Sequence, residues 1–344
     1  MTAAPEYIED NDETHRRFPL WYHPIYTDGI HPKARFPRER YEMLLDLLRE
    51  SGAFDKIQIK EPNIIEEQSL LLAHDRSYVR RFLEGTLDEK EKKRIGLTPW
   101  TPAMVNRTLH LMGCALEATE HAHRCGGISG NMAGGTHHAH RAFGSGYCVF
   151  NDLAVCALHA LEYLGLEHVA VLDLDVHQGD GTATILADEP RATTLSVHCS
   201  TNFPFRKSIS DHDFPVPPDS GDDVYLAHVK QALEVCLSTQ PSMVFYQAGV
   251  DGLESDALGK LRVTRAAMRA RNNLVFEAMH QHRIPVVVFM GGGYAKPIER
   301  SLEAFLDLLW TQRSGTHGGK SPKFKRGPNW NSHLRIVGLL PCSH

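Results

Sequence analysis

The sequence predicts an α/β protein in which a parallel sheet carries helices on both faces. Apolar runs such as 169–172 and 284–290 have the length and composition of strands buried on both sides. Longer segments with helical spacing separate them, and strands alternating with helices build parallel sheets. Polar clusters recur where the apolar runs end, and open α/β sheets place their sites beyond the carboxyl ends of strands.

Taken in order, residues 1–18 are polar and are expected to form a flexible segment. Residues 20–32 (LWYHPIYTDGIHP) mix aromatics with Pro, Gly and His and read as an ordered loop. Residues 38–51 set Met43, Leu44, Leu47 and Leu48 on one helical face. A short strand at 57–59, a helix at 66–74, a charged helix or turn at 87–94 and a loop at 95–102 (IGLTPWTP) follow. Residues 103–124 form a long helix rich in Ala, Leu and Met. A Gly-rich loop at 131–152 carries His137 and His138, and a helix occupies 151–165. The central strand starts at Val169 and the next spans 193–198. Residues 202–218, with Phe203, Phe205, Phe214 and four prolines, read as a long loop. The chain then alternates helix 223–239, strand 243–249, helix 261–282, strand 284–290 and helix 298–310. No repeat or boundary interrupts 19–311, which reads as one domain. Residues 312–344 are basic, lack acidic residues and read as an irregular tail.

Composition excludes several classes. A formal charge of −5 gives no basic footprint for direct nucleic-acid binding. Seven Cys without a CxxC pair argue against a disulfide framework or a thiolate zinc site. No apolar run reaches the roughly 18–20 residues of a membrane span, and the opening residues are too polar and acidic for a signal peptide. A cytoplasmic, non-membrane protein is expected, with oligomerisation left open. Twenty-one His direct attention to metal or acid–base chemistry.

That chemistry concentrates around residues 168–181 (HVAVLDLDVHQGDG). Asp173, Asp175 and His177 are spaced by two, so an extended strand end would put them on one side. Carboxylates and an imidazole beside an apolar run are costly unless neutralised, and a divalent metal would do this. Asp251 ends another strand, His137 and His138 follow Gly134 and Gly135, and Tyr294 follows Gly291 to Gly293. Asp175, His177 and Asp251 can supply three ligands to zinc, or to Fe²⁺ or Co²⁺ in its place, leaving a position open. An adjacent His can act as general base and acid. Asp173 and Asp180 are candidates to fix the two histidines, and Tyr294 can donate to an oxyanion. The glycines, Gly292 among them, allow close backbone approach. The sum is metal-assisted amide hydrolysis. His23, His31, His140, His159, His198 and His212 read instead as structural or exposed.

The blocks GGTHHA, DLDVHQGDG, AGVD and GGGY resemble the signatures of the histone deacetylase family over roughly residues 20–310. The resemblance implies a single-domain, three-layer αβα arginase–deacetylase fold with a mostly parallel sheet, making 19–311 the catalytic domain. It implies zinc on Asp175, His177 and Asp251, with His138 as general base and acid and His137 as its electrostatic partner. Asp173 would pair with His137, Asp180 with His138, and Tyr294 would polarise the acyl carbonyl. It further implies a structural K⁺ on backbone oxygens near the zinc, at Asp173, Asp175, His177, Ser196 and Val197. Gly146, Tyr147 and Phe203 match the walls of an acyl-lysine channel, with Gly292 beside them. Arg40 matches an Arg at its inner end. The pattern through Asp251, Leu253, Asp256, Leu258 and Gly259 is most similar to class IV deacetylases, relatives of which remove long acyl groups. Small residues along the channel, Ala139 and Gly144 to Gly146, would leave room for such groups unless Arg40 or Met132 plugs it. Leu258 stands near the position where polyamine deacetylases carry a gatekeeper Glu, which disfavours a polyamine. The Asp with which class I enzymes grip a peptide has no counterpart in residues 95–102. That absence weighs against a peptide grip of the class I kind, but the resemblance as a whole still implies an acylated lysine in a peptide or protein as the substrate. A small acylated amine is the alternative, and a non-catalytic acyl-lysine reader is disfavoured by the intact catalytic set.

Overall fold

The computed structural model describes residues 17–311. The expected flexible segment as far as residue 16 and the expected tail at 312–344 lie outside the described residues. The first third comprises β1 (Phe18–Trp21), α1 (Ile25–Asp28), α2 (Arg40–Glu50), β2 (Ile57–Lys60), α3 (Glu67–Leu70), α4 (Arg76–Leu83) and α5 (Glu89–Ile95). The middle comprises α6 (Ala103–Cys125), β3 (Ile128–Asn131), α7 (Asp152–Glu162), β4 (Val169–Asp173), α8 (Asp180–Leu186), β5 (Ala192–Cys199) and β6 (His212–Val216). Then come α9 (Asp222–Ser238), β7 (Met243–Gln247), α10 (Arg265–His282), β8 (Val286–Phe289) and α11 (Glu299–Thr311).

The eight strands form one sheet in the order β2-β1-β3-β8-β7-β4-β5-β6, and every pairing is parallel. Two groups of helices cover it. α6 and α7 pack on each other and on β1, β3, β8 and β4, while α9 packs on β5, β6 and β4 and continues through α10 to α11. The central strands are therefore buried on both faces: every residue of β4, β5, β7 and β8 is buried, with β4, β7 and β8 almost wholly apolar. This is the three-layer α/β architecture of the arginase–deacetylase fold.

Four departures from the expected elements have local causes. Phe18 and Leu20, assigned to the flexible segment and a loop, lie in β1, whose four residues are all buried. Pro19 is tolerated because the ladder to β3 begins only at Leu20, opposite Gly130. β3 reads ISGN, three of whose four residues are turn formers; it is a strand because it lies between β1 and β8. β6 was hidden in the expected long loop by Pro215; it is an edge strand paired only with β5. α8 starts directly at Asp180, behind the glycine expected to mark only a turn.

Register positions the site. Ser196, Asp173, Gln247, Phe289 and Asn131 form one row across β5, β4, β7, β8 and β3. β3, β4, β7 and β8 therefore finish at one level while β5 runs on to Cys199, and the loops leaving those four strands emerge side by side.

Candidate active site

The loop after β4 contributes Asp175 and His177. β4 itself stops at Asp173, so the pair is gathered by an irregular loop rather than by strand alternation, which corrects the sequence expectation. The loop after β7 adds Asp251. His177 Nδ1 lies 3.0 Å from Asp175 Oδ1 and 3.1 Å from Asp251 Oδ2. One ligand atom from each of the three lies within 4.8 Å of the others, and all three residues are buried. Backbone donors hold the remaining carboxylate oxygens: Gly292 N donates to Asp175 Oδ2 at 2.9 Å and Val176 N to Asp251 Oδ1 at 2.9 Å. A Cβ at Gly292 would come within 2.0 Å of Asp251 Oδ2, so only glycine admits the carboxylate there.

Charge shows that the donor set suits a cation. Burial disfavours a charged His177, yet the hydrogen bonds its ring donates to Asp175 and Asp251 outweigh it and raise its pKa to about 10. Two buried carboxylates thus attract a positive charge between them, and an Asp, His, Asp set leaving a coordination position open fits a catalytic divalent metal.

The loop after β3 supplies the two histidines, whose rings lie 4.0 Å apart. Asp173 turns away from the metal-type cluster: its Oδ2 is 2.6 Å from His137 Nδ1. His138 Nδ1 lies 2.6 Å from Asp180 Oδ1, while Asp180 Oδ2 is 3.1 Å from His140 Nε2. The two rings differ in charge. Burial lowers the pKa of His137, but Asp173 and Asp175 outweigh it and raise it to about 9. His138 falls to about 3 through burial and the neighbouring positive His137, against the opposing pull of Asp180. His138 is therefore a neutral imidazole with Nδ1 tied down, leaving Nε2 as its proton acceptor.

These groups share a cavity of about 530 Å³, which Gly146, Tyr147, Phe203, Gly292 and Tyr294 also line. Phe203 meets His138 edge to face at 4.8 Å, and Tyr147 packs 5.9 Å from Tyr294. Gly146 has φ +53°, and a Cβ there would lie 2.6 Å from His138 Cδ2. The Tyr294 backbone N donates to Asp256 Oδ2 at 2.6 Å, and burial keeps its phenol protonated well above the ordinary tyrosine range. Beyond Tyr294 the cavity reaches Arg40, Tyr41, Arg107 and Leu111. Arg40 forms wall here, donating to Gly291 O at 3.1 Å, and Met132 is buried outside the lining. Ser196 and Val197 are buried on β5, with Ser196 opposite Asp173, and the loop from β4 folds back so that Val176 O accepts from Cys199 N.

Supporting residues escaped the sequence reading. Gln247 Nε2 donates to Gly135 O at 2.8 Å, and Asp152 accepts from Gly135 N and Thr136 N at 2.8 and 2.7 Å. Asn151 Nδ2 donates to Ala139 O at 3.0 Å, completing a frame around the histidine loop. Arg271, fully buried on α10, donates to Gly249 O at 2.6 Å and to Ala248 O at 3.1 Å, bracing the loop that ends in Asp251. Strand ends and helix starts rich in Asn, Asp and Gln were the available signal. The Arg gave none, since an Arg on an amphipathic helix ordinarily reads as solvated.

Residues 34–309 match the family model described as "Histone deacetylase domain". The chain is 42% identical over 287 residues to an uncharacterized protein of Picosynechococcus sp., covering 82% of this chain and 93% of that one. It is 27% identical to Histone deacetylase 2 of Arabidopsis thaliana, covering 83% of this chain and 76% of that one. It is 28% identical to the acetoin utilization protein AcuC of Bacillus subtilis, covering 87% and 82%.

Proposed function

The chain belongs to the histone deacetylase family, a family of deacetylase hydrolases, and from that premise we propose that it hydrolyses the amide of N-acyl-lysine with a bound zinc ion. The observation that carries this reading is a single cavity. It joins the buried Asp175, His177 and Asp251 cluster to two histidines, each with its own carboxylate, and to Tyr294.

Asp175, His177 and Asp251 hold the zinc, which when bound supplies Lewis-acid polarisation of the carbonyl and an acidified water. His138 takes the proton of the attacking water at Nε2 and returns it to the leaving lysine nitrogen. Asp180 fixes the tautomer that makes this possible. His137, held positive by Asp173, favours the negative charge that develops nearby. Tyr294 donates to the acyl oxygen. Gly146, Tyr147, Phe203 and Gly292 confine the lysine methylenes. Backbone oxygens at Asp173, Asp175, His177, Ser196 and Val197 hold K⁺, a role supported by the fold-back of the β4 loop onto β5.

Tyr294→Phe is expected to lower kcat about 10²–10³-fold with a smaller change in KM, because the hydrogen bond strengthens as the oxyanion forms. A loss confined to KM would make Tyr294 a ground-state binding residue instead. Metal analysis combined with an acyl-lysine panel from acetyl to myristoyl, with an acetylated small amine alongside, tests the whole reading. One equivalent of metal and turnover of acyl-lysine above the small amine are expected.

The same panel tests acyl length. The cavity continues past Tyr294, so acyl groups longer than acetyl are expected to be accepted, each buried CH₂ contributing about 0.8 kcal/mol. The class IV pattern around Asp251 supports this extension, whereas the guanidinium-bearing Arg40 and Arg107 bound the apolar space at its inner end. A kcat/KM that falls steadily from acetyl through butyryl and octanoyl to myristoyl would exclude it.

A further inference from the structure

The cavity changes character towards its mouth. Among the described residues, the acidic side chains lining it are Asp175 and Asp251, both in the buried cluster. Its lining also contains Arg94 and Lys260, both exposed, and the exposed apolar side chains Phe205 and Leu258. The two cations belong to different segments of the lining, one beside Tyr147 and one beside Phe203. Arg94 is in the last turn of α5, whose terminal Ile95 carbonyl accepts from Tyr147 N at 2.7 Å, so it belongs to the Tyr147 segment. Lys260 N donates to Asn202 Oδ1 at 3.0 Å, next to Phe203, so it belongs to the Phe203 segment. Arg94 lies over the Phe143 ring at 4.5 Å, and Lys260 Nζ donates to Thr201 O at 3.0 Å. Neither forms an ion pair with a carboxylate among the described residues. Asp256, two residues before Leu258, is engaged by the backbone N–H groups of Leu258, Gly259 and Tyr294, and Glu91, one turn before Arg94, pairs with Arg81. Elsewhere exposed arginines do find partners, as Arg191 does with Glu189 and Arg262 with Asp219.

A chain of net charge −5 thus carries a positive rim around its site. Low-dielectric walls focus such a field on whatever approaches the opening. We infer that the preferred substrate is a peptide segment in which acidic residues flank the acylated lysine, with Phe205 and Leu258 covering its apolar parts. This deepens the proposed deacylase reading and rests on it. A peptide rather than a small amine is favoured because the cations come from two separate segments of the lining, which suits more than one carboxylate beside the inserted lysine.

The test uses the full-length, metal-loaded protein and three sets of acetyl-lysine peptides, flanked by Asp and Glu, by Ala and Ser, or by Lys and Arg. Two weak surface pairs together correspond to about 2- to 30-fold in kcat/KM, acidic over basic, at low ionic strength. The ratio should collapse in 1 M salt, where the Debye length is about 3 Å. The double charge reversal R94E/K260E should invert the order. Fluorescence anisotropy of the same peptides reads the order without turnover. A protein that binds acidic peptides best yet cleaves none would refute the deacylase reading and uphold the charge preference. Equal rates and equal binding for all sets would overturn the inference, as would a preference for basic flanks or an unchanged order in the double variant. So would N-acetylated amino acids carrying one free carboxylate that match the acidic peptides.

Discussion

Asp251→Ala is expected to lose bound metal and amide hydrolysis together. Asp251 gives one oxygen to the cluster with His177 and Asp175, while its other oxygen accepts from Val176 N. Removing it leaves two protein ligands where a catalytic zinc site uses three. It also leaves His177 facing Asp175 alone and the Val176 N–H without its acceptor. Asp251→Asn separates these consequences, because the amide oxygen can still receive the Val176 N–H while the negative charge is gone. Metal content by elemental analysis and the rate on an acyl-lysine substrate should therefore fall in both variants, whereas thermal stability should fall more in the alanine variant. Full activity in Asp251→Ala without bound metal would sink the mechanism.

Sequence reading reaches furthest where a residue's own chemistry announces its setting. Asp175, His177, Asp251 and Tyr294 follow apolar runs, His137 and His138 follow a Gly-rich turn, and all six line one cavity. The buried strands β4, β7 and β8 were legible for the same reason, since unbroken Val, Leu and Phe runs have no other use at that length. What local pattern cannot show is which neighbours a segment acquires. β3 is a strand through pairing with β1 and β8, although its Ser, Gly and Asn resemble a turn. β6 is an edge strand in which Pro215 hides the pattern.

The spacing argument for Asp173, Asp175 and His177 is corrected in its route. Alternation would have put all three on one face, but the strand ends at Asp173, and that side chain turns to His137. Support residues were the least legible. Gln247 and Arg271 act by holding backbone carbonyls of other segments, and such bonds join residues distant in sequence. No periodicity marks them.

His138→Ala is expected to lose about 10²–10⁴ in rate, the usual consequence of removing a general acid–base group, while the metal remains bound. The two halves of that expectation come from separate contacts. His138 is tied to Asp180 rather than to Asp175 or Asp251, so its loss leaves the metal-type cluster's own bonds intact. Its pKa, lowered to about 3 by burial and by the positive His137, keeps the ring neutral and able to accept a proton. The sign follows for pH. A base must be deprotonated in the free enzyme, so kcat/KM is lost as pH falls through its pKa, and the acidic limb governed by His138 should lie below the ordinary histidine value of about 6.5. Substituting His137 tests the cause: without that positive neighbour the limb should move upward, towards the ordinary value. Asp180→Asn should cut the rate while leaving metal content unchanged, because it disturbs the tautomer and not the ligands. Near wild-type kcat in His138→Ala would instead assign the base to His137, whose raised pKa of about 9 would then have to appear as an acidic limb above neutrality.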